Sequence, residues 1–212
     1  MQGIIGKKIG MTSIFDGEGR QVPVTVLECG PCTVLQHKTV AKDGYEAVQL
    51  AFRDQKEQRL NKPELGVFKK TGAAPKSVRF EMALEAGESP KPGDQVTVSM
   101  FEKVAFVDVS AYSKGKGFQG VMRRHGMSGG PITHGGHSKR RIGSIGCREL
   151  PGRVHKNKRM PGHMGNTRVT QQNLQVVKVQ PEDNVLLVLG AVPGSAGGIV
   201  LVRKSAKKGV KA

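Results

Sequence analysis

The sequence predicts a mainly β protein: a small barrel or sandwich with a small, partly helical insert, interrupted by a long irregular basic extension. Short apolar or alternating runs of four to seven residues occupy both ends of the 212-residue chain, the pattern of strands in a small all-β domain. Gly, Pro and Asp turn signals separate those runs. Between them, Tyr112 to Arg168 has no sustained period of either kind.

Each element has its own warrant. Val22, Val24 and Val26 alternate with Pro23 and Thr25, the two-residue period of a half-buried strand. Thr33–Gln36, Ala47–Phe52, Val96–Val98 and Val104–Val109 are further apolar runs before the extension. Leu174–Val179, Val185–Leu189 and Ile199–Val202 follow it. The turns are Asp16-Gly17, Asp43-Gly44, Pro92-Gly93-Asp94 and Pro193-Gly194. Between Leu60 and Leu84 the pattern changes, and Pro63 is placed to open a short helix running to about Lys70, with Gly72 as its stop. The expected organisation is a β-barrel domain from 1–111 and 166–204 with an insert at about 60–90, an extension over 112–165, and a basic tail over 205–212.

Charge distribution separates the extension from the rest. Tyr112 to Arg168 holds thirteen Lys or Arg residues, thirteen Gly, five of the six His and one acid, Glu149. It therefore carries +12 of the formal net charge of +17. Such a segment has too few apolar side chains to bury a core and too much like charge to collapse alone, so it is expected to order on a partner. A localised cationic arm favours a polyanion, with RNA or DNA first. A solvated charged face would mix both signs. Aromatic content is only 4% and Trp is absent. Phosphate, sugar and shape contacts are therefore expected ahead of base stacking.

The same residues argue against other classes. No apolar run approaches the ~20 residues of a membrane span. The opening Met-Gln-Gly-Ile-Ile-Gly-Lys-Lys lacks the order of a signal peptide. Three cysteines make no disulfide framework, and a reducing cytoplasm is the expected location. Gly115-Lys116-Gly117-Phe118-Gln119-Gly120 fits G-x-G-x-x-G, but the acid a ribose needs about 20 residues on is replaced by Lys139, Arg140 and Arg141. Cys29-Gly30-Pro31-Cys32 matches a redox C-x-x-C, yet a strand-like run follows it where a helix would be needed to lower a thiol pKa. It reads as a Gly-Pro turn between strands, and only Cys147 remains as a further thiolate for zinc. His134-Gly-Gly-His137 stands beside Lys139, Arg140 and Arg141, which would repel a metal, so imidazole contacts with RNA are expected instead. Clustered carboxylates and a G-x-S-x-G elbow are missing, so no catalytic residue, cofactor, metal or small-molecule substrate is assigned.

Several stretches resemble one family. They are Gly3-Ile-Ile-Gly6-Lys-Lys-Ile-Gly10-Met-Thr12, Pro23-Val-Thr-Val26, Asp43-Gly-Tyr-Glu-Ala-Val-Gln49 and Asn61-Lys-Pro63. Within the extension come Ser113-Lys-Gly-Lys-Gly-Phe118, Gly143-Ser-Ile-Gly146, Pro151-Gly-Arg-Val154 and Lys158-Arg-Met-Pro-Gly-His-Met-Gly165. Arg168-Val-Thr-Gln-Gln-Asn-Leu174 and Gly190-Ala-Val-Pro-Gly194 complete the set. From Gly3 to about Arg203 the chain resembles the bacterial type of large-subunit ribosomal protein L three. The resemblance implies a Greek-key β-barrel with Gly3–Thr12 in its first strand, direct binding to large-subunit (23S-type) rRNA, and an early role in subunit assembly. It also implies contact with neighbouring large-subunit ribosomal proteins, and an extension that threads toward the peptidyl transferase centre.

On that basis Lys114, Lys116, Arg123, Arg124, Lys139, Arg140, Arg141, Arg148, Arg153, Lys156, Lys158, Arg159 and Arg168 are expected on phosphates, with His134, His137 and His163 also on rRNA. The resemblance places the tip at Cys147, Arg148, Glu149, Leu150, Pro151, Gly152 and Arg153. Some relatives carry a methylated glutamine where this chain has Glu149, and a glutamate cannot receive that modification. Relatives often place an aromatic where this chain has His125. Two other classes fit parts of the sequence: a basic assembly factor not retained in mature ribosomes, and a redox enzyme using Cys29 and Cys32.

Overall fold

A computed structural model describes residues 1–85 and 87–208. In chain order its elements begin with β1 (Gly3–Phe15), β2 (Gln21–Cys29), β3 (Cys32–Lys38), the one-turn α1 (Val40–Asp43) and β4 (Ala47–Asp54). They continue with α2 (Lys62–Thr71), β5 (Lys76–Met82), β6 (Gln95–Val96) and β7 (Phe106–Tyr112). The extension holds β8 (Gly117–Gln119), α3 (Val121–His125) and β9 (Gly162–Met164). The chain closes with β10 (Arg168–Gln180), β11 (Val185–Leu189) and β12 (Ile199–Lys204). These elements form two compact units: Met1–Tyr112 with the chain from Arg168 onward, and Ser113–Thr167.

The first unit is built on a closed barrel in the order β1-β12-β7-β10-β11-β2, antiparallel throughout. The connections from β2 to β7 and from β11 to β12 join strands that are not neighbours, the Greek-key signature rather than an up-and-down meander. Closure leaves no free edge in the barrel wall. Ile4, Leu27, Val107, Val109, Leu186, Val188, Val200 and Val202 fill its interior, while Ile5, cross-strand from Leu201, is buried on the opposite face of the wall, as the alternation of side chains along a strand requires.

The strands of this unit divide between two sheets. The runs Thr33–Gln36 and Ala47–Phe52 do not join the barrel wall. They lie in β3 and β4 of a second sheet, ordered β5-β4-β3-β6. Alternation identifies a strand but not its partner, so sequence could not separate the two sheets. β4 is buried on both faces: Val48, Leu50 and Phe52 join the main core, while Ala51 packs with Leu35 and Phe68 beneath α2. The helix at Pro63 is present, and Gly72 ends it in the left-handed conformation with φ 67°, as a glycine C-cap should. The strand expected over Val96–Val98 is shorter. Val98–Phe101 forms a 3-10 turn that buries Val98 and Phe101.

Of the expected basic tail, Ser205–Lys208 is described. Ser205 N–H donates to Phe106 O (3.1 Å), Ala206 N–H donates to Asp108 Oδ2 (3.3 Å), and Lys208 Nζ lies 4.4 Å from the centre of the Phe106 ring. The remainder, 209–212, lies outside the described residues.

Candidate nucleic-acid interface

The second unit, Ser113–Thr167, is inserted between β7 and β10, whose last ladder pair is Tyr112 with Arg168. Among its described residues Val121 alone is buried, so no hydrophobic core holds this unit. Hydrogen bonds at the stem do. Ser113 N–H donates to Thr167 O (2.9 Å), Lys116 N–H to Met164 O (2.9 Å) and Asn166 N–H to Ser113 O (3.2 Å). β8 then pairs with β9, Gly117 opposite Met164 and Gln119 opposite Gly162. Gly165 closes the stem at φ 78°, and a Cβ there would strike Lys114 O, so only glycine fits without displacement.

Beyond the stem, Gly120 leads into α3, which ends at Gly126 in the left-handed conformation. Arg124 Nη1 donates to Met160 O (2.6 Å), and His125 Nε2 lies 3.0 Å from the same carbonyl. These two side chains tie the outgoing strand to the returning one. Farther out, Gly130 N–H donates to Lys139 O (3.2 Å), Gly136 N–H to Thr133 O (3.3 Å) and Arg141 N–H to Ser138 O (3.3 Å). The result is a closed loop with an open recess walled by Ile132, His137, Lys139, Arg140 and Arg141. Gly129 sits at φ 79° against Lys139 O, with no room for a Cβ.

The expected binding residues are distributed along this path. Lys114 and Lys116 lie on the outgoing stem, Arg123 and Arg124 on α3, and His137, Lys139, Arg140 and Arg141 around the recess, while His134 is exposed in the same loop without lining it. Cys147 through Arg153 forms an exposed stretch, Lys156, Lys158 and Arg159 lie on the return, and His163 is in β9. All of these cations are exposed except Arg124, which is half-buried against Met160. Arg168 is instead the first residue of β10 in the barrel unit, its guanidinium 5.5 Å from the Phe80 ring centre. The stem residues Ser113, Asn166 and Thr167 were not expected as determinants of the arm. The Gly165-Asn166 pair was their one sequence signal, since both adopt positive φ in a turn.

Electrostatically the two units differ. Every ion pair among the described residues lies in the barrel unit, for example Lys76–Asp54 (2.6 Å) and Lys204–Glu85 (2.7 Å). None of the thirteen arm and root cations has a carboxylate partner there. Unpaired like charges on a unit without a core store repulsion that a polyanion would relieve.

The cysteine motif has the opposite of redox character. Cys29 ends β2, Cys32 begins β3, and Gly30-Pro31 turns between them. Both are buried free thiols. Burial raises the Cys29 pKa well above the thiol range, and burial pushes Cys32 up to about 12, although its Sγ donates to Ile5 O (3.4 Å). A nucleophilic thiolate needs the reverse shift. Among the described residues no three His, Cys, Asp or Glu side chains cluster as a metal site. No helix among the described residues is long and apolar enough to cross a membrane.

Fold and arm together define a class: a closed Greek-key barrel that carries a glycine-rich polycationic arm between two neighbouring strands. A family model described as "Ribosomal protein L3" matches residues 65–185. The "Large ribosomal subunit protein uL3" of Brachyspira pilosicoli is 50% identical over 208 residues, covering 98% of this chain and 95% of that protein. The protein of the same name from Corynebacterium jeikeium (strain K411) is 51% identical over 213 residues, covering 100% and 98%. The chain belongs to the ribosomal protein L3 family.

Proposed function

We propose that this protein is a structural constituent of the large ribosomal subunit that binds large-subunit (23S-type) rRNA directly through its arm. Family membership supports the first part: relatives that align over nearly the whole chain carry the name of a large-subunit protein. One observation supports the second. Thirteen cations meet one acid between Tyr112 and Arg168, and none of them is paired with a carboxylate among the described residues. Phe118, Ile132 and Leu150 in the same unit are each more than 70% exposed, which suits an arm embedded in a partner rather than one bathed in water.

On this reading the barrel is the anchor and the arm is the reach. Phosphate contacts from Lys114 to Arg168 neutralise charge, while the stem bonds and the Arg124–Met160 tie limit the entropy lost on docking. The exposed stretch Cys147–Arg153 is the tip assigned to the peptidyl transferase centre region. Its influence on peptide-bond formation would pass through RNA geometry, because the stretch holds a single carboxylate, Glu149, and no catalytic pair. Early assembly follows from the same physics: an arm that relieves phosphate repulsion acts best before the helices around it close. Neighbouring large-subunit proteins are expected against the barrel. The test is binding of the full chain to a large-subunit rRNA fragment across a salt series. If six of the cations engage phosphates, the log–log slope is about −4 to −5, and a slope near zero would remove the electrostatic basis.

A further inference from the structure

Where the arm joins the barrel unit, a cleft of roughly 320 Å³ opens between β5 and the barrel. Its walls include Val78, Phe80, Tyr112, Arg168, Ile199 and Leu201. We propose that this cleft seats one unstacked nucleobase of the bound RNA, with Tyr112 as the stacking face and Arg168 on the adjoining phosphate. The proposal rests on the RNA reading above and names a base-binding site within it.

Four observations point to a nucleotide. Tyr112 and Phe80 are two of only nine aromatic side chains in the chain, and both border one cleft. Tyr112 is 63% exposed, leaving a ring face free, and stacking on an aromatic face is how unpaired bases are held without sequence preference. Among the described residues no acid lines the cleft. Of its two guanidiniums, Arg79 is paired with Glu64 (2.5 Å) while Arg168 has no carboxylate partner among the described residues. Arg168 lies over Phe80, which positions a cation beside the cleft. An apolar protein side chain would fill the walls but leave Arg168 without an anion, whereas a nucleotide supplies base and phosphate together.

β5 adds a readout. It ends the order β5-β4-β3-β6, so one side of its backbone is unpaired, and four consecutive residues, Ser77 to Phe80, line the cleft. Main-chain N–H and C=O groups along that edge can meet a base edge, and the volume is at the small end of the about 300–1,000 Å³ of ligand pockets. One base fits that scale. The site is also continuous in sequence with the candidate interface, because Tyr112 and Arg168 are the residues to which the arm is joined.

The chain holds two tyrosines and no tryptophan, so 3-fluorotyrosine labelling of the full protein yields two fluorine NMR signals. Tyr45, tied to Glu81 (2.7 Å) on the exposed surface, serves as the internal control. The probes are the four nucleoside 5′-monophosphates and ribose 5-phosphate. The expected result is a saturable shift of the Tyr112 signal with at least one nucleotide, little movement with ribose 5-phosphate, and a stationary Tyr45. Ser77→Trp, a substitution at the exposed rim, should weaken the nucleotide response by at least about ten-fold.

A silent Tyr112, an equal shift with ribose 5-phosphate, or undiminished binding by the Ser77→Trp protein would each overturn the site. Retention of a large-subunit rRNA fragment by the same protein is measured in parallel. Retention with a silent Tyr112 rejects the base site alone, and absence of retention rejects the RNA reading itself.

Discussion

Neutralising the recess shows how many phosphates the arm engages. Lys139, Arg140 and Arg141 are consecutive, exposed and without carboxylate partners among the described residues. Lys139→Gln/Arg140→Gln/Arg141→Gln removes three charges. The bonds that close the loop are Gly130 N–H to Lys139 O and Arg141 N–H to Ser138 O; both are main-chain and survive the change. Exposed substitutions of this kind alter stability by no more than about 0.5 kcal/mol each, so thermal unfolding should be nearly unchanged. If all three cations sit on phosphates, each contributes about 0.7 to 0.9 to the salt slope, and the triple variant loses about 2 to 3 from its magnitude. Between about 50 and about 200 mM salt, the parent affinity should therefore fall about 20- to 40-fold more than that of the variant. Filter retention of a labelled rRNA fragment at four salt concentrations measures this. Equal slopes for the two proteins would show that the recess faces no RNA.

Other outcomes follow from particular contacts. Gly165→Ala forces a left-handed alanine at a cost of about 1–2 kcal/mol and drives Cβ into Lys114 O. Hydrogen exchange should accelerate at the amides of Ser113, Lys116 and Asn166, whereas Gly17→Ala, in open space, should change nothing; equal protection in both proteins would count against the stem. Native protein should react with one equivalent of a thiol reagent, at Cys147, and denatured protein with three; two or more in the native state would contradict the burial of Cys29 and Cys32. Because folding raises both thiol pKa values above the ordinary 9, the unfolded chain loses these protons first. Stability should thus be intact below about pH 9 and decline above it, and Cys29→Ala/Cys32→Ala should flatten that decline in urea titrations. Phe68, the one buried residue of α2, anchors the helix on Leu35 and Ala51; Phe68→Ala should cost about 3–5 kcal/mol in chemical denaturation, and a loss below about 1 kcal/mol would mean the helix is held otherwise.

How far the sequence could be read depended on whether a feature is local. The run Val22–Val26 reads as a strand because apolar and other residues alternate, and Val185–Leu189 and Ile199–Val202 because they are short apolar runs bounded by turn residues. The α2 helix was visible from Pro63 and Gly72 for equally local reasons. β1 was not legible from periodicity, since Gly3, Gly6, Lys7, Lys8 and Gly10 break the alternation, and its ladder shifts register between Lys8 and Gly10. β10 reads only from Leu174 onward, because Arg168 to Asn173 is polar apart from Val169 and the ladder shifts between Gln171 and Leu174. Partner choice was hidden throughout, so the division of the strands between the barrel and the sheet of β3 and β4 was not legible. In the arm, composition showed charge but not shape. β8 and β9 are three residues each and far apart in sequence, too short to carry a period. The tie of Arg124 and His125 to Met160 O involves a carbonyl, which no sequence pattern marks.

Ultraviolet crosslinking of the intact protein in its own cells, with sequencing of the captured RNA and mass mapping of the crosslinked peptides, asks most directly whether the polycationic arm is an rRNA-binding element. Adducts should concentrate on large-subunit rRNA and on peptides from Ser113–Thr167. Capture of mainly messenger or transfer RNA, or adducts confined to the barrel with the arm bare, would contradict it.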